Sequence, residues 1–92
     1  MDTHIAFILP GHSLVETTKK SLAAMNREYP LYCSDEDDAV KIAKNLEKKN
    51  IKIIISSGST CQTLQKNCNI LVIEMQYSVS ECAEAIRRAL QY

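Results

Sequence analysis

The chain alternates short unbroken apolar runs with longer stretches in which apolar residues recur every three or four positions. The first run, Ile5 to Leu9, ends at Pro10-Gly11. A run this short with no polar interruption predicts a strand buried on both faces. Leu14, Thr18, Leu22 and Met25 then fall on one helical stripe. Ser13 and Glu16 have the spacing of a capping box, in which hydroxyl and carboxylate satisfy free backbone donors, so a helix is expected to open there. Pro30 resets the chain, and Leu31 to Cys33 predicts a short second strand.

Ser34-Asp35-Glu36-Asp37-Asp38 predicts the start of a second helix, because negative charge is favoured at the positive end of the helix dipole. Ala39, Ile42, Ala43 and Leu46 form its apolar stripe, while Lys41, Lys44, Glu47 and Lys48 face water. Asn50 is its expected stop. Ile51 to Ile55, interrupted only by Lys52, is the strongest strand signal. Ser56-Ser57-Gly58-Ser59-Thr60 breaks it, and Ser59 with Gln62 predicts a capped helix running to about Lys66. Ile70 to Ile73 reads as a fourth strand. Ser78 with Glu81 predicts the cap of a last helix that buries Val79, Cys82, Ala83, Ile86 and Leu90.

Strands alternating with helices at this spacing require βαβ crossovers, hence a parallel sheet with helices on both faces. Right-handed crossovers leave few topologies. The expected fold is a three-layer α/β/α lobe with a four-stranded parallel sheet of order 2-1-3-4, the flavodoxin-like or Rossmann-like half of doubly wound folds. Residues 1–92 are expected to form one such lobe. Its edge strands are Leu31 to Cys33 and the more apolar Ile70 to Ile73. An open strand edge invites pairing, so a two-fold homodimer through the fourth strand or the last helix is expected.

Composition narrows the function classes. Lys plus Arg and Asp plus Glu both number 11, and the pI is about 6.7. No basic excess points to nucleic acid or an anionic membrane. Cys33, Cys61, Cys68 and Cys82 form no C-x-x-C pair, and with two histidines the usual zinc spacings are missing. No metal or cofactor is expected. Met1-Asp2-Thr3-His4 carries no basic stretch before an apolar core, so a cytoplasmic protein with reduced thiols is expected.

In an open parallel sheet, ligands bind beyond the strand C-terminal ends, where the strand order reverses. Two loops are expected to meet there: Gly11, His12 and Ser13 after the first strand, and Ser56, Ser57, Gly58, Ser59 and Thr60 after the third. Backbone N–H groups at two helix starts, with hydroxyls added, suit a carboxylate or phosphate. Gln76, Tyr77 and Ser78 would flank the site. Each feature has a plainer reading. Gly and Ser suit tight turns without any ligand, His12 can be an exposed loop residue, and the acidic run can be a solvated helix start. Enzyme templates fit poorly: there is no G-x-G-x-x-G and no Walker loop. Cys82 and Arg88 have phosphatase-like spacing but lie inside the last predicted helix. The alternatives are an enzyme subunit or phosphocarrier-like domain using Cys33 or His12, Cys33 lying where a helix start lowers a thiol pKa, or a pure assembly module.

The stretch Ile53-Ile54-Ile55-Ser56-Ser57-Gly58-Ser59-Thr60-Cys61, followed by Val72-Ile73-Glu74-Met75 and by Ala85-Ile86-Arg87-Arg88-Ala89-Leu90, resembles the N-terminal sensor domain of propionate catabolism activators, which are sigma-54-dependent transcriptional regulators. Asp38-Ala39-Val40-Lys41-Ile42-Ala43 extends the likeness upstream. The resemblance implies a ligand-sensing module without catalysis, the first lobe of a two-lobed domain. Ser57, Ser59 and Glu81 stand where the family carries Arg, Gly and Asp. Losing the Arg removes a bidentate carboxylate binder, so this departure from the family implies either a ligand other than the 2-methylcitrate associated with propionate regulators or no ligand.

Overall fold

The computed structural model describes residues 4–75 and 79–91. Eight elements alternate along the chain: β1 (Ile5–Leu9), α1 (His12–Ala24), β2 (Leu31–Cys33), α2 (Glu36–Lys48), β3 (Ile53–Ser56), α3 (Gly58–Asn67), β4 (Leu71–Glu74) and α4 (Val79–Ala89). The four strands form one sheet in the order β2-β1-β3-β4, and every pairing is parallel.

The sheet divides the core into two layers. Successive strand residues point to opposite faces, so Ile5, Phe7, Leu9, Ile53, Ile55 and Ile73 meet α1 and α4. Ala6, Ile8, Ile54 and Val72 meet α2 and α3. The helices of each layer also pack on one another, α1 on α4 and α2 on α3. All five residues of β1 are buried, as are all four of β3, which is what a central parallel strand requires.

Helix ends explain where the structure departs from the apolar runs. α1 opens one residue before Ser13, with Gly11 as its N-cap and no side-chain cap. Ser13 therefore lies inside the helix, and Glu16 reaches forward to Lys19 at 3.7 Å instead of back to a cap. Ser59 is likewise not a cap, because β3 continues through Ser56, whose register partner is Glu74, and α3 starts at once with Ser57 as N-cap. The capping box at Ser78 and Glu81 lies outside the described residues, as do the side chains of Val79, Cys82 and Ala83. Asp35 does cap α2, accepting a hydrogen bond from the Asp38 N–H at 2.9 Å.

α1 and α2 end alike. Asn26 and Asn50 adopt left-handed backbone, with φ of 56° and 70°. After α2, the Ile51 N–H donates to the Leu46 carbonyl at 3.1 Å and the Asn50 N–H to the Glu47 carbonyl at 3.3 Å. After α1, Arg27 and Asn26 donate to Leu22 and Ala23 in the same pattern. This double bond pattern is a Schellman close, and asparagine is the residue after glycine that tolerates it best. It also explains why β3 begins at Ile53 and not at Ile51. Ile51 is buried, but its N–H closes the helix. β4 is similarly shifted by one residue, starting at Leu71.

On α4, Ala85, Ile86 and Ala89 are buried while Leu90 is 48% exposed, so Leu90 does not join the buried stripe. It lies just past the last helical residue. On the packed face of α1, the Thr18 and Ser21 hydroxyls are buried without a hydrogen-bond partner. A buried hydroxyl without a partner carries a desolvation cost of about 1–3 kcal/mol.

Two stability measurements test these points. Asn50→Gly should leave urea unfolding unchanged or stabilise the protein slightly, whereas Asn50→Ala should cost about 1 kcal/mol, because a Cβ is strained in left-handed backbone. Thr18→Val keeps the shape and removes the orphan hydroxyl, so it should raise stability by about 1 kcal/mol. A loss of stability in Thr18→Val would show that the hydroxyl has a partner in solution.

Candidate functional site

The register Ile5↔Ile53, Ala6↔Ile54 and Phe7↔Ile55 brings the C-terminal ends of β1 and β3 side by side at the centre of the sheet. Each strand runs directly into a helix. The first intrahelical bonds are Val15 N–H to the Gly11 carbonyl, at 3.1 Å, and Cys61 N–H to the Ser57 carbonyl, at 3.3 Å. The N–H groups of His12, Ser13 and Leu14, and of Gly58, Ser59 and Thr60, therefore have no acceptor within their helices.

The three described helix starts at this end of the sheet differ. α2 is closed by its own chemistry, with Asp35 capping and Glu36, Asp37 and Asp38 in the first turn. α1 and α3 have neither a side-chain cap nor an acid in the first turn. The two starts left open are those beside the strand-order reversal.

The residues singled out from the sequence fall into three groups. His12, Ser13 and Ser59 are exposed, with Gly11 and Gly58 half-buried beside them. Ser56, Ser57 and Thr60 are buried. Gln76, Tyr77 and Ser78 lie outside the described residues. Gly58 has φ of 61°, a conformation that favours glycine. Gly11 is in extended backbone, and a Cβ there would meet nothing within 4 Å. The turn after β1 therefore has open space beside it, and its glycine is not required by φ.

Strand alternation sends Ser56 toward the α2/α3 layer, opposite to Ile55. Its hydroxyl is fully buried and has no hydrogen-bond partner. Glu74 is its register partner on β4. The thiol of Cys61 on α3 is pushed up to about 11, first by burial and then by the Glu74 charge. Sequence reasoning missed this Ser56–Cys61–Glu74 neighbourhood, because only the β3–β4 register brings Glu74 beside the α3 layer.

Cys33 is exposed at the end of edge strand β2, and His12 is exposed at the start of α1. Among the described residues, no group of three His, Cys, Asp or Glu side chains is placed to hold a metal ion, the acidic start of α2 included. No described helix is long and apolar enough to cross a membrane.

The Cys61 thiol gives a pH test. Below its ordinary value of 9.0 it is neutral in both folded and unfolded chains. Between pH 9 and about 11 only the unfolded chain ionises, so this group's contribution to stability is lost as pH rises. Stability measured across this range should fall less steeply in Cys61→Ala than in the unaltered protein. Cys33 should react with a thiol reagent in the folded state long before Cys61 does.

Comparison with curated proteins gave no match, and comparison with solved structures gave none. A family model described as propionate catabolism activator matches residues 25–92. The match takes in β2 through α4, including the whole turn from Ser56 to Thr60, but not the turn from Gly11 to Ser13. On a match to the model of its N-terminal domain that covers most of the chain, the chain belongs to the propionate catabolism activator family.

Proposed function

We propose that this lobe is the ligand-sensing part of a sigma-54-dependent transcriptional regulator, acts in the cytoplasm, and has no catalysis of its own. The observation that carries the reading is the contrast among helix starts: α2 is capped by its own acids, whereas α1 and α3 are left open side by side. A small organic acid or phosphate suits that pair, because two sets of free N–H groups and two dipole ends converge on it. Gly11, His12 and Ser13 line one side, and Ser57, Gly58, Ser59 and Thr60 the other. Ser56, the last residue of β3, is proposed as part of the same side. Gln76, Tyr77 and Ser78 are proposed as the flank of the same site.

The lobe is further proposed to associate as a two-fold homodimer through β4 or α4. Leu90, just after α4, is a large apolar side chain left exposed, and β4 is the outer strand of the sheet. An exposed apolar side chain and an open strand edge favour burial against a second copy. Sedimentation at rising micromolar concentration should show conversion from one chain to two. A single species of one-chain mass throughout would remove the dimer from the reading.

Ser59→Asp separates sensing from folding. Ser59 is exposed in the first turn of α3, so an acid there fills the open helix start without disturbing the core. The free protein should gain a few tenths of a kcal/mol to about 1 kcal/mol. Calorimetry with 2-methylcitrate, citrate, propionate and phosphate should find binding to the unaltered protein that weakens about tenfold or more in the variant, equivalent to about 1.4 kcal/mol. If none of these anions binds at millimolar concentration, the sensing proposal fails.

A further inference from the structure

The basic residues of this neutral chain are not spread evenly. Lys41, Lys44, Lys48 and Lys49 follow one another along and just after α2, Lys52 precedes β3, and Lys66 ends α3. All six are exposed, and among the described residues none has an ion-pair partner. The C-terminal ends of α2 and α3 and the N-terminal end of β3 all lie at the end of the sheet opposite the helix starts described above.

Two adjoining grooves open there. The first, of about 400 Å³, runs between the ends of α2 and α3 and is lined by Lys44, Glu47, Lys48 and the segment Asn67-Cys68-Asn69. The second, of about 310 Å³, shares Glu47 and Asn69 and adds Lys52 with the apolar side chains of Ile51, Ile70 and Leu71. Leu71 is 39% exposed. Helix dipoles account for Lys48 and Lys66, which sit in the last turns of α2 and α3. They do not account for Lys44 or Lys52, or for apolar residues left open between the lysines. The Cys68 thiol, raised by burial and by Glu47 and lowered by Lys44, reports both charges at the groove.

We propose that this pair of grooves docks an acidic segment of another polypeptide, its carboxylates on Lys44, Lys48 and Lys52 and its apolar side chains on Ile70 and Leu71. The lining favours a polypeptide over a nucleic acid. It offers no arginine and no aromatic ring for phosphate forks or base stacking, it has an apolar floor, and Glu47 at its centre would repel a continuous phosphate backbone. The surface lies away from the helix starts that the ligand reading uses, so the two stand or fall separately.

The probe is a fluorescent peptide of Glu-Glu-Leu repeats, followed by anisotropy. It should bind the unaltered protein, and the binding should weaken as salt rises through the physiological range, where the Debye length is about 8 Å. Lys44→Glu/Lys48→Glu/Lys52→Glu should lose at least about tenfold in affinity. Lys19→Glu/Lys20→Glu, the same kind of reversal on α1, should lose little. Leu71→Gln should weaken binding while leaving its salt dependence unchanged. No binding, an equal loss in the α1 variant, or duplex DNA binding as tightly as the peptide would each overturn the proposal. So would self-association abolished by the groove variant, which would give the surface to a second copy.

Discussion

The parallel pairing of β1 with β3 is the contact on which the other elements depend. Both strands are buried along their whole length and carry side chains into both core layers. Once Ile5–Phe7 lies against Ile53–Ile55, the crossover helices must fall on opposite faces, with α1 on one and α2 on the other. The same pairing places two strand ends, and so two helix starts, next to each other at the centre of the sheet. β2 and β4 extend the sheet outward and determine how many residues surround that point.

The fold was legible because strands buried on both faces leave a plain mark. Ile5 to Leu9 and the isoleucines after Lys52 have no other economical placement in a chain this short. Strand order followed from handedness and connection length, not from any single residue. The helix ends were harder to read. The Ser-x-x-Glu and Ser-x-x-Gln spacings at Ser13 and Ser59 are local signals, and in both places the strand's last backbone bonds decided the boundary instead. Asn50 was readable as a stop, yet its pattern also draws Ile51 out of the strand, which depends on three-dimensional bonding to Leu46.

The site was legible as two loops and no further. That α1 and α3 lack caps while α2 has one could not be read from the sequence, where all three starts carry side chains able to cap. The placement of Glu74 near Cys61 depends on the register of β4, and a shift by one residue would turn Glu74 to the other face. The lysine grooves were invisible in a net charge of zero, because the opposite charges cancel in the sum while lying at opposite ends of α2.

An all-parallel sheet also has a consequence during synthesis. No strand here can pair with its neighbour through a tight turn, since every parallel pairing waits for a complete crossover. β1, the most apolar segment of the chain, leaves the ribosome before the other strands, yet its inner partner β3 emerges only after α1, β2 and α2. Translation proceeds at about 5–20 residues per second, so Ile5–Leu9 spends some seconds with no more cover than α1 and β2 can give. The segment that later anchors the core is, for that interval, the one most exposed to chaperones and to wrong partners.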